Sequence, residues 1–317
     1  MDKIFHLRIF ENNDILIIVG LIFGILSIVS LGLFIFGKIK PEANIRELKS
    51  RTKSWWVMSI MFIGATVFST KISYIAIAFL SFVAFREIYS LLGFRQSDRR
   101  AIFWAFLAIP IQYYLAYLGW YGAYIIFIPV VMFLFLPLRL VLKGDTKGIV
   151  SSMAGLQWIL MLTVFGISHM AYLLSLPDIE GFNAGGRGLL LFLVFLTEIN
   201  DVMQFVWGKL FGKHKIIPKV SPNKTWEGFI GGVISTTAIG YGLGFLTPLS
   251  TGYLLLVSFL VAIAGFVGDV VMSSVKRDVG VKDTGTAIPG HGGVLDRIDS
   301  LAYTAPIFFH LVYYIAY

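Results

Sequence analysis

Over most of this chain of 317 residues, apolar side chains come in long, charge-poor runs separated by short polar segments. Ten runs stand out, at roughly 15–37, 55–69, 72–92, 102–118, 121–138, 151–176, 187–206, 227–246, 252–274 and 301–316. A helix needs about 20 apolar residues to cross a bilayer. Several runs reach that length and others fall short, which leaves room for tilted, half-spanning or merged spans. The pattern predicts an all-α, polytopic integral membrane protein of about ten transmembrane helices.

The polar segments test that reading. With alternate loops assigned to two sides, 21 of the 26 Lys and Arg fall on one side and four on the other, while Arg86 lies within a run. Basic loops are retained in the cytosol. The expected topology therefore has both termini outside the inner, cytoplasmic membrane and the loops 207–226 and 275–300 together in the cytosol. No cleavable signal is expected, because the first run begins near Ile15 without a small-residue cleavage pattern after it.

Composition narrows the class further. A hydrophobic share of 57% with 14% charged residues and a mean hydropathy of +0.81 exclude an ordinary soluble domain. The absence of cysteine removes disulfides and thiolate metal sites. The net charge of +8 mostly reflects retention of basic loops, with some attraction to anionic membrane lipids. No nucleic-acid partner is expected, since the basic residues are dispersed and form no reader motif.

Residues 1–150 read as transmembrane scaffold and 151–317 as the region that carries chemistry. The basic loop 38–54 reads as a helix lying on headgroups. Arg86 and Glu87, near the end of a run, fit either the lining of a polar cavity or snorkelling to the interface. His169 and His310 have no acidic or histidine neighbours at ligand spacing and read as helix-packing residues.

One stretch differs from all of this. Ser273 to Asp299, 27 residues long, gathers Lys276, Arg277, Asp278, Lys282, Asp283, His291, Asp296, Arg297 and Asp299 around Gly285, Gly290, Gly292 and Gly293. Carboxylates suit Mg²⁺, Lys and Arg suit phosphate, and glycines let backbone amides approach an anion. Such a mixture asks for a metal-bound polyphosphate at a membrane surface. Upstream, Glu198 and Asp201 lie three residues apart inside an apolar run, where carboxylates are costly unless paired or hydrated.

The stretch resembles the signature of the phosphatidate cytidylyltransferases (CDP-diacylglycerol synthases), which runs S-x-[apolar]-K-R-x4-K-D-x-[small]-x2-[apolar]-[P/G]-x-H-G-G-[apolar]-x-D-R-[apolar]-D. Every constrained position is met, from Ser273 through Lys276-Arg277, Lys282-Asp283 and His291-Gly292-Gly293 to Asp296-Arg297 and Asp299. Ser221-Pro222-Asn223-Lys224-Thr225-Trp226-Glu227-Gly228 is similar to the family's second motif, S-P-x-K-T-x-E-G, and Trp207 to Lys213 is similar to its F-G-[KR]-x-F-G-[KR] run. That last likeness places Asp201 at the family's aspartate of A-D-[ST]-G-A-[YF]. Here the chain departs, with Asn200 before the aspartate and Val202, Met203 and Gln204 after it. The resemblance is specific over about 200–317.

The resemblance implies a transferase that moves CMP from CTP to phosphatidic acid or a related lipid phosphate, giving CDP-diacylglycerol and pyrophosphate in phospholipid biosynthesis. By analogy, Asp269 and Asp296 hold Mg²⁺, with Asp283, Asp299 and Asp201 as nearby ligands and room for a second cation. Lys276, Arg277, Lys282 and Arg297 neutralise phosphate, and Lys224 clamps it from the other loop. Ser221, Thr225 and the Gly292-Gly293 backbone donate hydrogen bonds, and His291 serves as a hydrogen-bond partner rather than a base. A homodimer is compatible with the reading. Two alternatives stay open: a related membrane nucleotidyltransferase acting on another lipid phosphate, and a non-enzymatic transporter or inactive paralogue using the intramembrane carboxylates.

Overall fold

The computed structural model describes residues 12–40, 45–288 and 292–317. Its helices fall on the predicted apolar runs: α1 (Asn13–Ile39), α2 (Arg46–Phe68), α3 (Thr70–Leu91) and α4 (Arg99–Tyr117), then α5 (Tyr121–Val141) and α6 (Ile149–Ser175). They continue with α7 (Gly185–Phe211), α8 (Trp226–Gly242), α9 (Thr251–Asp278) and α10 (Leu301–Ala316). By length and composition, six of them, α1, α3, α5, α6, α7 and α9, are able to cross a membrane. The others are shorter or carry more charge, so this measure supports a polytopic membrane protein with fewer certain spans than the ten apolar runs suggest.

Two stretches depart from the sequence reading. The basic stretch 46–54 is continuous with the apolar one in α2 rather than a separate surface helix, and a single residue, Ser69, separates α2 from α3. The second departure is a small antiparallel ribbon, β1 (Lys215–Ile217) with β2 (Ser221–Thr225), in which Lys215 faces Thr225 and Ile217 faces Ser221. Glu227, in the first turn of α8, closes the base of the ribbon: its carboxylate accepts from the amides of Lys213 at 3.0 Å and His214 at 3.2 Å.

Burial grades from periphery to centre. Only 11% of the apolar window of α1 is buried within the protein, against 50% for α7, so α1 faces lipid and α7 is central. Leu156, Ile159, Leu160 and Val164 of α6 pack with Leu189 to Leu193 of α7 and Phe308 and Phe309 of α10 to form the core. In α5 the turn Phe127–Met132 widens to π geometry around Pro129, which has no N–H to give. Gln157 of α6 donates to the Ile128 carbonyl at 3.1 Å, satisfying a backbone group where no water can reach.

The end that matters for function is tied by polar contacts across helices. Asn200 of α7 is fully buried; its Oδ1 accepts from Thr236 Oγ1 of α8 at 3.1 Å and its Nδ2 donates to the Ala262 carbonyl of α9 at 3.1 Å. Thr197 Oγ1 bonds Thr304 Oγ1 of α10 at 2.9 Å. One amide thus fixes three helices beside Asp201.

Candidate active site

The ends of α7 and α9, the start of α8, the β-ribbon, Arg51 and Trp55 of α2 and residues of 282–288 and 292–299 line a cavity of about 1230 Å³. That exceeds the roughly 300–1,000 Å³ of a typical small-ligand site, and leaves room for two substrates. Both sequence motifs therefore open into one space, as expected if their loops lie on the same side.

Lys224 comes from β2. Its ammonium lies 2.5 Å from Asp269 Oδ2, donates to Gln204 Oε1 at 3.1 Å and sits 5.5 Å from the centre of the Phe266 ring. Burial pushes its pKa down, but the charges of Asp269 and Asp201 push it up and prevail. Ser221 lines the cavity from the same strand. Thr225 also borders it, yet its hydroxyl is turned to the start of α8, where it caps the helix by accepting from the Gly228 amide at 3.2 Å.

Lys276, in the last turn of α9, forms the second pair. Its ammonium donates to Asp296 Oδ1 at 2.9 Å and stands 3.8 Å from Asp299 Oδ2. Asp296 is the second residue of the single turn Leu295–Ile298, and its other oxygen accepts from the Thr284 amide at 2.8 Å, the Thr284 hydroxyl at 3.0 Å and the Gly293 amide at 2.9 Å. Burial raises its pKa, while Lys276 and these donors lower it further than burial raises it. Asp296 is thus the organising centre of its loop. The Gly293 amide is spent on it rather than pointed at the cavity.

Gly292 does line the cavity, with φ +84°, and a Cβ there would fall 2.6 Å from Asp296 Oδ2. Lys282, Asp283 and Arg297 also line it, and Arg297 Nε is a buried donor with no partner among the described residues. Arg277 does not line it; its guanidinium donates to the Val281 carbonyl at 3.2 Å beyond the end of α9. His291 lies outside the described residues.

Asp201, Asp269 and Asp299 share the deep end. Asp201 Oδ2 accepts from Ser300 Oγ at 3.1 Å, Asp269 Oδ1 from Ser273 Oγ at 3.2 Å, and Asp299 Oδ1 from the Ser300 amide at 2.8 Å. Burial, and then the neighbouring Asp269 charge, push the Asp299 carboxyl above the ordinary carboxylate range. Asp201 Oδ1 is buried without a hydrogen-bond partner among the described residues. Glu198 lines the cavity alongside them. This donor set suits a hard divalent cation. Among the described residues, however, no three acidic or imidazole groups converge as a closed metal centre. Mg²⁺ commonly takes one or two carboxylates and completes its shell with water and substrate phosphate, and the open arrangement fits that habit.

Sequence reasoning undervalued two residues. Gln204 is buried and touches Lys224 directly, although its position among the departures from the family pattern drew attention only to cavity shape. Glu87 of α3 reaches the signature segment from the other half of the chain, accepting from the amides of Val294 and Leu295. A carboxylate at the end of an apolar run, beside an exposed Arg86, is the only signal the sequence carried for it. Arg51 and Trp55 of α2 also line the cavity, whereas His169 packs among aromatic rings, 5.1 Å from that of His310, away from it.

Residues 49–315 match the profile of the family described as "Cytidylyltransferase family". The chain is 42% identical over 278 residues to a protein of Escherichia coli (strain K12) named "Uncharacterized protein YnbB", covering 87% of this chain and 91% of that one. It is 42% identical over 124 residues to the phosphatidate cytidylyltransferase of Staphylococcus haemolyticus, covering 38% of this chain and 48% of that enzyme. With the phosphatidate cytidylyltransferase of Mycobacterium leprae it shares 37% identity over 146 residues, 46% of this chain and 47% of the other. The match spans about half the length of these two enzymes.

Proposed function

The chain belongs to the cytidylyltransferase family, and we propose that it transfers CMP from CTP to phosphatidate, releasing pyrophosphate and CDP-diacylglycerol on the cytosolic face of the inner membrane. One observation carries the reading: the Lys224–Asp269 pair, which joins one motif to the helix leading into the other, and the Lys276–Asp296 pair within the signature open into the same cavity.

An oxygen of the lipid phosphate attacks the α-phosphorus of CTP, the bond to the β-phosphate breaks, and pyrophosphate carries away the charge. The attacking oxygen is already anionic at neutral pH, so the site has no need of a strong base. Its task is to bring two anions together and hold them in line. Lys224, Lys276, Lys282 and Arg297 supply positive charge from different walls, and Arg297 Nε, which has no partner among the described residues, can donate to a phosphate oxygen. One or two of Asp201, Asp269 and Asp299 would hold Mg²⁺, with Asp283 at the rim and Asp296 keeping Lys276 in place. A bound Mg²⁺ would offset the triphosphate charge and polarise the phosphoryl group under attack. Ser221 and Gly292 line the cavity as hydrogen-bonding groups for the substrates, while Thr225 shapes the ribbon that carries Lys224.

A second reading, a different lipid phosphate as acceptor, draws support from Val202 and Gln204, which border the cavity where the family pattern has small residues. Purified protein incubated with CTP, Mg²⁺ and phosphatidate, beside other lipid phosphates and other nucleoside triphosphates, tests both. Formation of pyrophosphate and a CDP-lipid from phosphatidate is the expected result. Preference for another lipid phosphate would favour the second reading, and no transfer to any lipid would overturn both.

A further inference from the structure

The turn Leu295–Ile298 is too short to satisfy its own leading amides. In place of a local cap, Glu87 of α3 accepts from the Val294 amide at 2.9 Å through Oε1 and from the Leu295 amide at 2.8 Å through Oε2. Oε2 also lies 3.3 Å from Thr284 Oγ1, which is itself 3.0 Å from Asp296 Oδ2. A hydroxyl has one proton to donate, so Thr284 sits between two carboxylates and serves one at a time. The glycines of the segment are cut to this carboxylate. A Cβ on Gly293 would fall 2.6 Å from Glu87 Oε2, and one on Gly285 would fall 3.3 Å from Oε1.

We propose that Glu87 is a positioning residue: from the scaffold half it caps the signature turn and sets where Asp296, and through it Lys276, stand in the cavity. The kinetic side of this inference rests on the cytidylyl-transfer reading; the structural side does not. Two charge-assisted bonds to backbone amides fix the turn more firmly than neutral bonds would, and the turn carries Asp296, which collects Lys276 and the two flanking amides. Gly285 and Gly293, which the sequence suggests as places for a phosphate to approach the backbone, here admit a carboxylate of the protein.

The test uses the full chain in detergent micelles. Amide exchange of Val294 and Leu295, the thermal midpoint, and kcat and KM for CTP and phosphatidate are measured for Glu87→Gln, Glu87→Ala and the control Glu180→Gln, at an exposed loop position. Loss of charged hydrogen bonds of this kind corresponds to about tenfold or more in rate. Glu87→Gln is expected to speed exchange at these two amides by that factor and to lower kcat similarly. KM for the lipid should stay within about twofold, because the affected contacts matter at the transition state. Gly293→Ala, which pushes the same contact apart from the loop side, should reproduce the pattern if Glu87→Ala fails to fold. Glu180→Gln should change nothing. Exchange within about twofold of the parent, or a uniform rise across α6 and the turn together, would overturn the inference. If the parent protein transfers CMP to no lipid phosphate, the functional reading falls, and exchange at the two amides still decides the role of Glu87.

Discussion

Lys224 Nζ and Asp269 Oδ2 lie 2.5 Å apart, the first on a β-strand of one motif and the second on the helix that leads into the other. The contact joins the two loops of the cavity at one charge pair. It also places an ammonium directly beside Asp269.

Asp269→Asn should therefore lower kcat/KM by about 10²-fold or more, the usual loss when a preorganised charge is removed from a transition-state site. The fold should survive, since no core side chain is emptied. Asp278→Asn, at an exposed position four residues before Lys282, should stay within about twofold. Steady-state assays with thermal unfolding as the folding control check both. Equal sensitivity of the two aspartates would mean that the cavity has been assigned the wrong carboxylate.

Gln204 and Val202 should separate. Removing an acceptor from a charged donor costs about 1.5–3 kcal/mol, so Gln204→Ala should lower kcat by about tenfold or more as Lys224 loses its side-chain amide partner. Val202→Ser changes only the wall, where volume decides what enters, and should alter KM among lipid phosphates with kcat retained. Kinetics with lipid phosphates of different headgroup and chain length measure the split.

The helices were legible because their spans repeat apolar residues over a bilayer's thickness, and the signature segment because it gathers charges and glycines in a fixed order in an otherwise charge-poor chain. The ribbon was not. Ser221-Pro222-Asn223-Lys224-Thr225 has neither alternating apolar residues nor a strand-like composition, and it pairs because Glu227 closes its base from the following helix. The roles of Thr225, Gly293 and Arg277 were also beyond reach, because each spends its hydrogen bond on backbone or on a carboxylate of its own loop. Sequence order names the residues of a site; only packing says which of them are already engaged.

Acid should loosen a junction far from the cavity. Arg95 donates to Asp98 Oδ1 at 2.7 Å, Ser152 Oγ donates to Asp98 Oδ2 at 2.7 Å, and Arg95 also reaches the Asp145 carbonyl at 3.2 Å, so the Arg95–Asp98 pair ties three segments. Burial acts to raise the Asp98 pKa, but Arg95 and Ser152 bring it below the ordinary value. A carboxylate depressed on folding stabilises fully above its unfolded pKa, near about 4, and that stabilisation is lost as pH falls through the folded value. Asp98→Asn should cost about 2 kcal/mol near neutral pH, and its thermal midpoint should converge on the parent's below about pH 4. Thermal unfolding across pH measures the convergence.

Topology has its own test. Asn12 Nδ2 donates to the Asn183 carbonyl, which places the start of α1 beside the loop before α7, at the opposite end of α7 from the β-ribbon. In intact cells Asn183→Cys should react with an impermeant maleimide and Asp278→Cys should not. The reverse pattern would turn the cavity outward and remove its access to CTP.

The cap that Glu87 places on the Leu295 turn bears on how such a protein can be divided. A fragment of residues 151–317 would contain both motifs and every carboxylate of the deep end, yet its signature turn would begin with two unsatisfied amides. Shuffling this segment onto an unrelated set of helices would move the recognisable residues without the one that seats them. In any such transplant of this chain, α3 must travel with the loop it holds.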